Sequence, residues 1–505
     1  MHIQKTDSKK MDETLLHPFA IFQALISLFL LIILTKWLTK SVKNKNSPPS
    51  PPRRLPILGH LHQLGSLPHH NLHSMARKHG PLMLLHFGSV PTLIASSAAA
   101  AAEIMKTHDL SFADRPESRV SRRLLYDNKD VSVAPYGEYW RQLKSICVVQ
   151  LLSNKRVQSF HSVRAEETAI LVTKIGESSD QCVNLSQMFT QLTNDVVCRS
   201  AIGRKYGGDG EDGERFLAIL RNFLEVLGTI SIGDFVPCLS WIGRFNGFDG
   251  RVDRIAREVD EFLEGVIRER LENPLEQAGE NFLDILLEIH RNNSIDRDSV
   301  KAIILDVFAA GTDTTATVLE WTMTELLRHP TILEKLQNEV REVMKDKHDI
   351  TENDIEKMHF LKAVIKETLR FHIPIPLLVP RVAREDVKIM GYDISAGTMV
   401  MINAWAIGRD PASWDDPESF HPERFLNSSI DYKGLDFELI PFGAGRRGCP
   451  GTAFAMATNE SVLANLVHKF DWKLPSQCDE LDMSELPGVA IRRVVPLLAI
   501  GTQCK

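Results

Sequence analysis

The sequence lacks the cysteine pairs and metal motifs that mark disulfide-bonded or zinc-dependent proteins. It has seven cysteines in 505 residues, an odd number, and no C-x-x-C pair. No H-E-x-x-H motif occurs among the 18 histidines, and His69-His70 stands in a stretch predicted to be a loop. A disulfide framework and a histidine-based metal site are therefore not expected, whereas a reducing compartment is.

A strong positive charge is also missing. The formal net charge is -6 at pH 7, and a broad surface for nucleic acid would need an excess of lysine and arginine. The composition is instead that of a large globular chain, because 43% of the residues are hydrophobic. We therefore expect a large core and no nucleic-acid partner.

Fixed charges are absent from one long segment near the N-terminus. No residue between Glu13 and Lys36 is charged, and LLHPFAIFQALISLFLLIILT supplies the roughly 20 residues needed to cross a bilayer. Lysines and arginines follow this segment, so the positive-inside rule places the later residues in the cytosol. A buried core helix would leave that one-sided basic flank unexplained.

The segments around this stretch differ in composition. SPPSPPRRLPILGH follows it, and prolines favour a stiff, extended spacer. The sequence predicts four segments: a luminal tail (1–14), a transmembrane anchor (15–35), a basic and proline-rich hinge (36–60) and a catalytic domain (61–505).

Most of the predicted domain has helical spacing. Residues 252–272 and 299–328 are the longest such stretches, and Pro330 is expected to end the second. LMLLHFG and TLIASS predict two short strands, and a second strand pair is predicted within 387–403, turning at Ser395-Ala396-Gly397. The predicted fold class is mainly α with a small β-sheet, as one large domain.

The segment PFGAGRRGCPG, residues 441–451, surrounds one cysteine with glycines. The glycines let a flat group approach the backbone, and Pro450 suits the first turn of a helix. A cysteine at a helix N-terminus is expected to favour the thiolate, a strong ligand for haem iron. A buried structural cysteine is the alternative, but it leaves Phe442 and Arg447 unexplained.

This segment resembles the haem-binding signature of the cytochrome P-450 family, F-x-x-G-x-R-x-C-x-G. Its fixed positions are occupied by Phe442, Gly445, Arg447, Cys449 and Gly451. The resemblance implies that Cys449 is the proximal ligand of haem b and that Arg447 pairs with a haem propionate. It places Phe442 and Gly451 beside the cofactor.

A second motif, AAGTDTTAT, interrupts the long helical stretch at residues 309–317. Small, β-branched and polar residues are poor helix formers, so their polar groups are expected to serve another purpose. The run resembles the family's oxygen-activation motif, A-G-x-D/E-T. Asp313 and Thr314 would then be the acid–alcohol pair that delivers protons. A functionless polar patch at a helix bend is the alternative.

Two further motifs resemble the family's structural charge network. KETLR supplies Glu367 and Arg370, which are three residues apart on a predicted helix, and FHPERF supplies Arg424. By the resemblance, these three residues form a buried network behind the haem. Losing one partner would leave a buried charge without compensation.

Other residues resemble the family's propionate ligands. WRQLK, residues 140–144, stands where the family has W-x-x-x-R, so Trp140 and Lys144 would contact a propionate. Lysine in place of arginine offers a point charge rather than a planar fork. Arg381 is a further candidate. A basic face around Lys144, Lys155, Arg156 and Arg446 would meet an acidic partner or be an ordinary solvated surface.

The resemblance covers the chain after the anchor and is closest to the plant microsomal branch, including furanocoumarin- and terpenoid-oxidising enzymes. It implies a monooxygenase in the endoplasmic reticulum membrane, spanning it once and facing the cytosol. Dioxygen would be the oxidant. Electrons would come from NADPH through cytochrome P-450 reductase, because the chain has no flavin or nicotinamide motif.

The implied substrate is a small hydrophobic plant metabolite such as a terpenoid, coumarin, alkaloid or oxime. By resemblance, its pocket would be lined by aliphatic residues, which would equally suit an ordinary core: Val120, Val133, Ala310, Leu377, Leu378, Val379 and Val489. Two alternatives remain open, an isomerase or dehydratase on the same fold and a non-catalytic membrane binding module.

Overall fold

The computed structural model describes Gln23, Ser27 and residues 46–504 except 207–210, 230, 274–280, 346 and 476–480. The predicted luminal tail, the transmembrane anchor apart from Gln23 and Ser27, and the first part of the hinge therefore lie outside the described residues.

Helices dominate the described part of the chain. Its α-helices, in chain order, are α1 (Pro68–His79), α2 (Ala98–Ala102), α3 (Arg119–Leu124), α4 (Glu138–Ser145), α5 (Asn154–Ser159), α6 (His161–Glu177), α7 (Leu185–Ile202), α8 (Glu211–Leu227), α9 (Ile232–Phe235), α10 (Ile242–Phe245), α11 (Phe248–Glu272), α12 (Phe282–Arg291), α13 (Arg297–Arg328), α14 (Pro330–Met344), α15 (Glu352–Ile355), α16 (His359–Phe371), α17 (Ala404–Ile407) and α18 (Thr452–Lys469).

The strands form small sheets at the side of the helices. They are β1 (Leu82–Phe87), β2 (Val90–Ala95), β3 (Cys182–Asn184), β4 (Arg381–Val382), β5 (Val387–Ile389), β6 (Tyr392–Ile394), β7 (Met399–Ile402), β8 (Phe470–Lys473), β9 (Glu485–Leu486), β10 (Arg492–Arg493) and β11 (Leu498–Gln503). The largest sheet has the order β1-β2-β7-β4, and only β2 and β7 run parallel in it. A three-stranded sheet has the order β3-β11-β8, and β5-β6 and β9-β10 are hairpins. A mainly α fold with small sheets is thus confirmed.

Helix α13 runs through the middle of the molecule. Asp296 caps its N-terminus by accepting a hydrogen bond from the Ser299 N–H at 2.8 Å, and Pro330 begins the next helix after His329. Its N-terminal half packs into an apolar cluster with α7, α8, α11 and α12, and its C-terminal half into a second cluster with α6, α14, α16 and α18. The predicted helix over 299–328 is therefore the core helix of the fold.

Two helical stretches in the described chain are long and apolar enough to cross a bilayer, Arg215–Phe235 and Arg297–Arg328. The second is the core helix α13, and 67% of its most apolar window is buried inside the protein. The high hydropathy of α13 is therefore explained by its packing inside the protein.

One local prediction is wrong. His69 and His70 lie in the first turn of α1 and not in a loop, since Pro68 starts this helix. The described part of the hinge contacts the domain, because the Leu84 N–H donates to the Pro49 carbonyl at 2.9 Å and anchors it on β1.

The second strand pair is also arranged differently from the prediction. Strands β5 and β6 pair across Met390-Gly391, and both of these residues have positive φ. A turn does occur at Ser395–Thr398, but it leads into β7, which pairs with β2 and β4. The alternation of apolar residues predicted where the strands lie, but it did not predict which strands pair with one another.

Candidate functional site

The loop carrying Cys449 is held in shape by backbone contacts. The Cys449 N–H donates to the Phe442 carbonyl at 2.9 Å, which closes the loop. Gly445 has a φ of 67°, and a Cβ there would lie 2.3 Å from the Met105 carbonyl oxygen. A side chain at this position would therefore push the loop away from the rest of the protein.

The thiol of Cys449 faces a cavity of about 280 Å³ just before α18. Burial raises the pKa of this thiol, while the Gly451 N–H, Lys144 and the Thr452 hydroxyl oppose that shift. The N–H at the helix terminus thus favours the thiolate, but burial outweighs it in the protein by itself. Coordination to a metal ion deprotonates a thiol outright, so bound iron would supply the missing stabilisation.

Helix α13 lines the same cavity as the cysteine loop. Ala310, Gly311 and Thr314 line it, and the Thr314 hydroxyl donates to the Ala310 carbonyl at 2.6 Å. A Cβ on Gly311 would lie 2.9 Å from the Val197 side chain of α7, so glycine allows the close helix contact here. The polar run predicted from sequence thus reaches the cavity that holds Cys449.

Asp313 is on the same helix but is buried away from that cavity. Its carboxylate contacts the guanidinium of Arg492 on β10. Arg492 is partly exposed, and burial lowers its pKa, as does the nearby Arg221. Sequence reasoning missed Arg492 because no motif surrounds it.

Three of the seven predicted pocket residues, Ala310, Leu378 and Val379, line the cavity. The other four, Val120, Val133, Leu377 and Val489, are not among its lining residues. Val120 and Val133 pack in the helical core, Leu377 packs against the β1–β2 region, and Val489 contacts Gly228. Aliphatic residues not selected from sequence complete the lining: Val307, Val318, Leu369, Pro374 and Ile375.

Several cationic side chains converge on one end of the cavity. Arg115, Arg381 and Arg447 all line it. Burial lowers the pKa of Arg115 and of Arg447, and repulsion by Arg381 lowers both further. The pKa of Arg447 falls to about 10. Such an arrangement favours an anion, because a negative partner would relieve the mutual repulsion.

The predicted propionate ligands bond to protein oxygens in this region. Arg447 donates to the carbonyls of Ala113 at 2.7 Å and Ala134 at 2.6 Å, and Trp140 lies beneath its guanidinium. Arg381 donates to Asp109 and Ala444. The ammonium of Lys144 reaches the Gly448 carbonyl, next to Cys449.

Two buried aspartates position the loop below these cations. Asp306 on α13 accepts the Val131 N–H at 2.7 Å, and Asp130 accepts the N–H groups of Ser132 and Val133. Burial raises the pKa of both carboxyls, and Asp130 raises that of Asp306 further. The loop then presents the Val131 carbonyl to Trp140.

The structure brings the predicted charge network together. Arg370 makes a double hydrogen bond to Glu367, at 2.7 and 2.8 Å, and Arg424 contacts the same carboxylate at 3.1 Å. The side chains of Glu367 and Arg370 are fully buried. Arg370 also donates to the carbonyls of Gly408, Pro417 and Ser419 and so ties three loop positions to α16.

These residues fit haem b. A thiol and glycines at one wall suit an iron and a flat ring, and the cationic end suits two propionates. Cys449 would hold the iron, and Arg115, Arg381 and Arg447 would hold the carboxylates. Arg115 was not predicted from sequence.

Replacing Arg115 by methionine is expected to weaken haem retention by about 10- to 150-fold, since a hydrogen bond to a charged group contributes roughly 1.5–3 kcal/mol. The measurement is the rate at which purified protein loses haem to a scavenging apoprotein. Arg122→Met is the matched control, because Arg122 is exposed and pairs with Asp127 on the surface. Equal loss rates in the two variants would contradict a role for Arg115.

Comparisons with known proteins agree with this site. The family model described as Cytochrome P-450 matches residues 48–497. The chain is 71% identical to cytochrome P-450 71A8 of Mentha piperita, covering 98% of each chain. It is 52% identical to psoralen synthase of Pastinaca sativa, covering 92% of this chain and 98% of that one.

Two further comparisons extend this result. The chain is 48% identical to norfluorocurarine oxidase of Strychnos sp, covering 96% of this chain and 98% of that one. A solved zebra fish cytochrome P-450 with progesterone has a TM-score of 0.76 and 25% identity, covering 86% of this chain and 99% of that one. The chain therefore belongs to the cytochrome P-450 family of haem-thiolate monooxygenases, which use haem b and electrons from NADPH through a reductase partner.

Proposed function

We propose that this protein is an NADPH- and dioxygen-dependent monooxygenase that oxidises a small hydrophobic plant metabolite. The observation that carries the proposal is that Cys449 and Thr314 line one and the same cavity. The lining is mostly apolar, and such cavities bind apolar ligands held by a few polar groups.

The chain's own groups suit delivery of protons into this cavity. Haem, when bound, supplies dioxygen activation, promoted by electron donation from the thiolate. The Thr314 hydroxyl is held at the wall by its bond to Ala310 and can hold a water molecule there. Asp313, the adjacent acid, is paired with the partly exposed Arg492, which supports proton exchange with solvent.

Relatives narrow the substrate class. One is named for making psoralen and another for oxidising norfluorocurarine. Coumarins and alkaloids are therefore the first substrates to test, followed by terpenoids and oximes. An aliphatic lining at Val307, Ile375 and Leu378 supports a flat or compact apolar ring system.

Electron supply would come through the outer side of the cysteine loop. A groove of about 800 Å³ lies there, lined by Gly445, Gly448 and Cys449 and by several lysines. Arg446 and Lys155 are exposed, so they fit the predicted basic face for a reductase. Lys144 lines the inner cavity and not this groove, and its ammonium donates to the Gly448 carbonyl.

The uncharged segment 15–35 and the basic residues after it support a single-pass anchor in the endoplasmic reticulum, with the catalytic domain in the cytosol.

The test is turnover of a panel of coumarins, alkaloids, terpenoids and oximes by the purified protein with reductase and NADPH. We expect at least one substrate to gain an oxygen atom or to lose hydrogen, and product to vanish when NADPH or dioxygen is withheld. Product that forms without both would indicate the isomerase or dehydratase alternative. Binding spectra without turnover of any bound compound would favour a binding module.

A further inference from the structure

A cluster outside the haem cavity brings together three side chains from distant parts of the sequence. His69 and His70 lie in the first turn of α1, and Glu485 lies on β9. Both imidazole Nε2 atoms are 2.9 Å from the same Glu485 carboxylate oxygen, and the three ligand atoms lie within 4.8 Å of one another. None of the three residues lines the cavity at Cys449.

We propose that His69, His70 and Glu485 bind one divalent metal ion of the zinc class, at a site separate from the haem. Two imidazoles and one carboxylate form one of the three-residue ligand sets that hold zinc in proteins, with the fourth position open to water. No other function has been assigned here to these side chains.

Metal binding requires the three ligand atoms to move relative to one another. Zinc lies about 2.0–2.2 Å from nitrogen and oxygen ligands, which places tetrahedral ligand atoms about 3.3 Å apart. The two nitrogen–oxygen distances of 2.9 Å would therefore widen by about 0.4 Å, and the separation of the two nitrogens, which is at most 4.8 Å, would shorten by up to about 1.5 Å. Rotation of the partly exposed His70 and Glu485 side chains allows this, whereas His69 is fixed by burial.

The surroundings provide both a rigid support and an entry path. The His69 carbonyl accepts a hydrogen bond from Asn403 at 2.9 Å, and the Trp405 ring lies 4.3 Å from His70. The Trp405 indole N–H is buried and has no hydrogen-bond partner among the described residues. A water molecule bound to the ion would place a hydrogen-bond acceptor near this N–H group. The side chain of His70 is 42% exposed, so an ion can enter from solvent.

A bound ion would link the start of the domain to its C-terminal hairpin. Glu485 pairs with Arg493 across the β9–β10 hairpin. The neighbouring Arg492 contacts Asp313. The ion would therefore clamp a hairpin that reaches the oxygen-activation helix.

Zinc binding to the purified, detergent-solubilised holoprotein, made without a polyhistidine tag, tests the proposal. Zinc is titrated against a chromogenic chelator, and bound zinc is counted per haem after gel filtration. We expect one ion per chain, and at least about 100-fold weaker binding in Glu485→Gln and His70→Gln. His73→Gln is the matched control and should bind like the parent, since His73 also contacts Trp405 but lies outside the cluster.

The carbon-monoxide difference spectrum checks that each variant is folded. If Glu485→Gln loses that signature, His70→Gln decides the question because its side chain is the most exposed of the three. Absence of zinc in the parent protein, or equal zinc affinity in all four proteins, would overturn the proposal and leave the cluster as a hydrogen-bonded ion pair.

Discussion

Replacing Cys449 by serine is expected to abolish the thiolate-type carbon-monoxide spectrum and all product formation. A serine hydroxyl cannot donate electron density as a thiolate does, and its proton is far harder to remove. The cavity walls would otherwise persist, because the loop is closed by the backbone bond from Cys449 to Phe442, which serine retains. The measurements are the reduced, carbon-monoxide-treated spectrum and turnover with reductase and NADPH.

Cys147→Ser is the matched control for this experiment. Cys147 also lines the cavity and is buried, and burial raises the pKa of its thiol to about 12, so it remains a neutral thiol. This variant should keep both the spectrum and the turnover. A Cys449→Ser protein that retained either of them would show that another residue holds the iron.

The chemistry could be read from sequence because it depends on local spacing. The cysteine loop, the A-G-x-D-T run and the E-x-x-R pair each place their key residues within a few positions of one another. Arg447 and Thr314 consequently lie on the same cavity as Cys449, where the motifs predict them. The ionisation of the cysteine was not predictable in this way, because it depends on burial by distant segments.

Residues that reach the site from other segments escaped prediction. Arg115 joins Arg381 and Arg447 only after the chain has folded, and no motif surrounds it. The hydrogen bond from the Val131 N–H to Asp306 likewise joins a loop to α13. A single charged residue outside a motif does not indicate, from sequence alone, which residues it will contact in the folded protein.

The substrate pocket was predicted least well, for a related reason. Valine and leucine suit a core and a ligand cavity equally, so the sequence does not distinguish Val120, which packs in the core, from Val307, which lines the cavity. Strand pairing met the same difficulty, because alternation identifies strands without identifying partners. Packing between residues far apart in the sequence decides both which aliphatic residues line the cavity and which strands pair.

Replacing Arg370 by alanine is expected to destabilise the folded protein by about 3–5 kcal/mol, because it leaves the buried carboxylate of Glu367 with reduced compensation. Arg424 contacts the same carboxylate but cannot replace the double hydrogen bond. The three carbonyls that Arg370 binds would also lose a donor. The measurement is the denaturant concentration at which half of the carbon-monoxide signature is lost.

Arg254→Ala is the matched control, since Arg254 pairs with Glu258 on the exposed face of α11. An exposed pair contributes about 0–1 kcal/mol, so this variant should unfold at nearly the parent denaturant concentration. The contrast compares a buried network with a simple exposed pair, because each variant removes an arginine that pairs with a glutamate of its own helix. Similar midpoints for the two variants would show that the network behind the cysteine loop does not stabilise the fold.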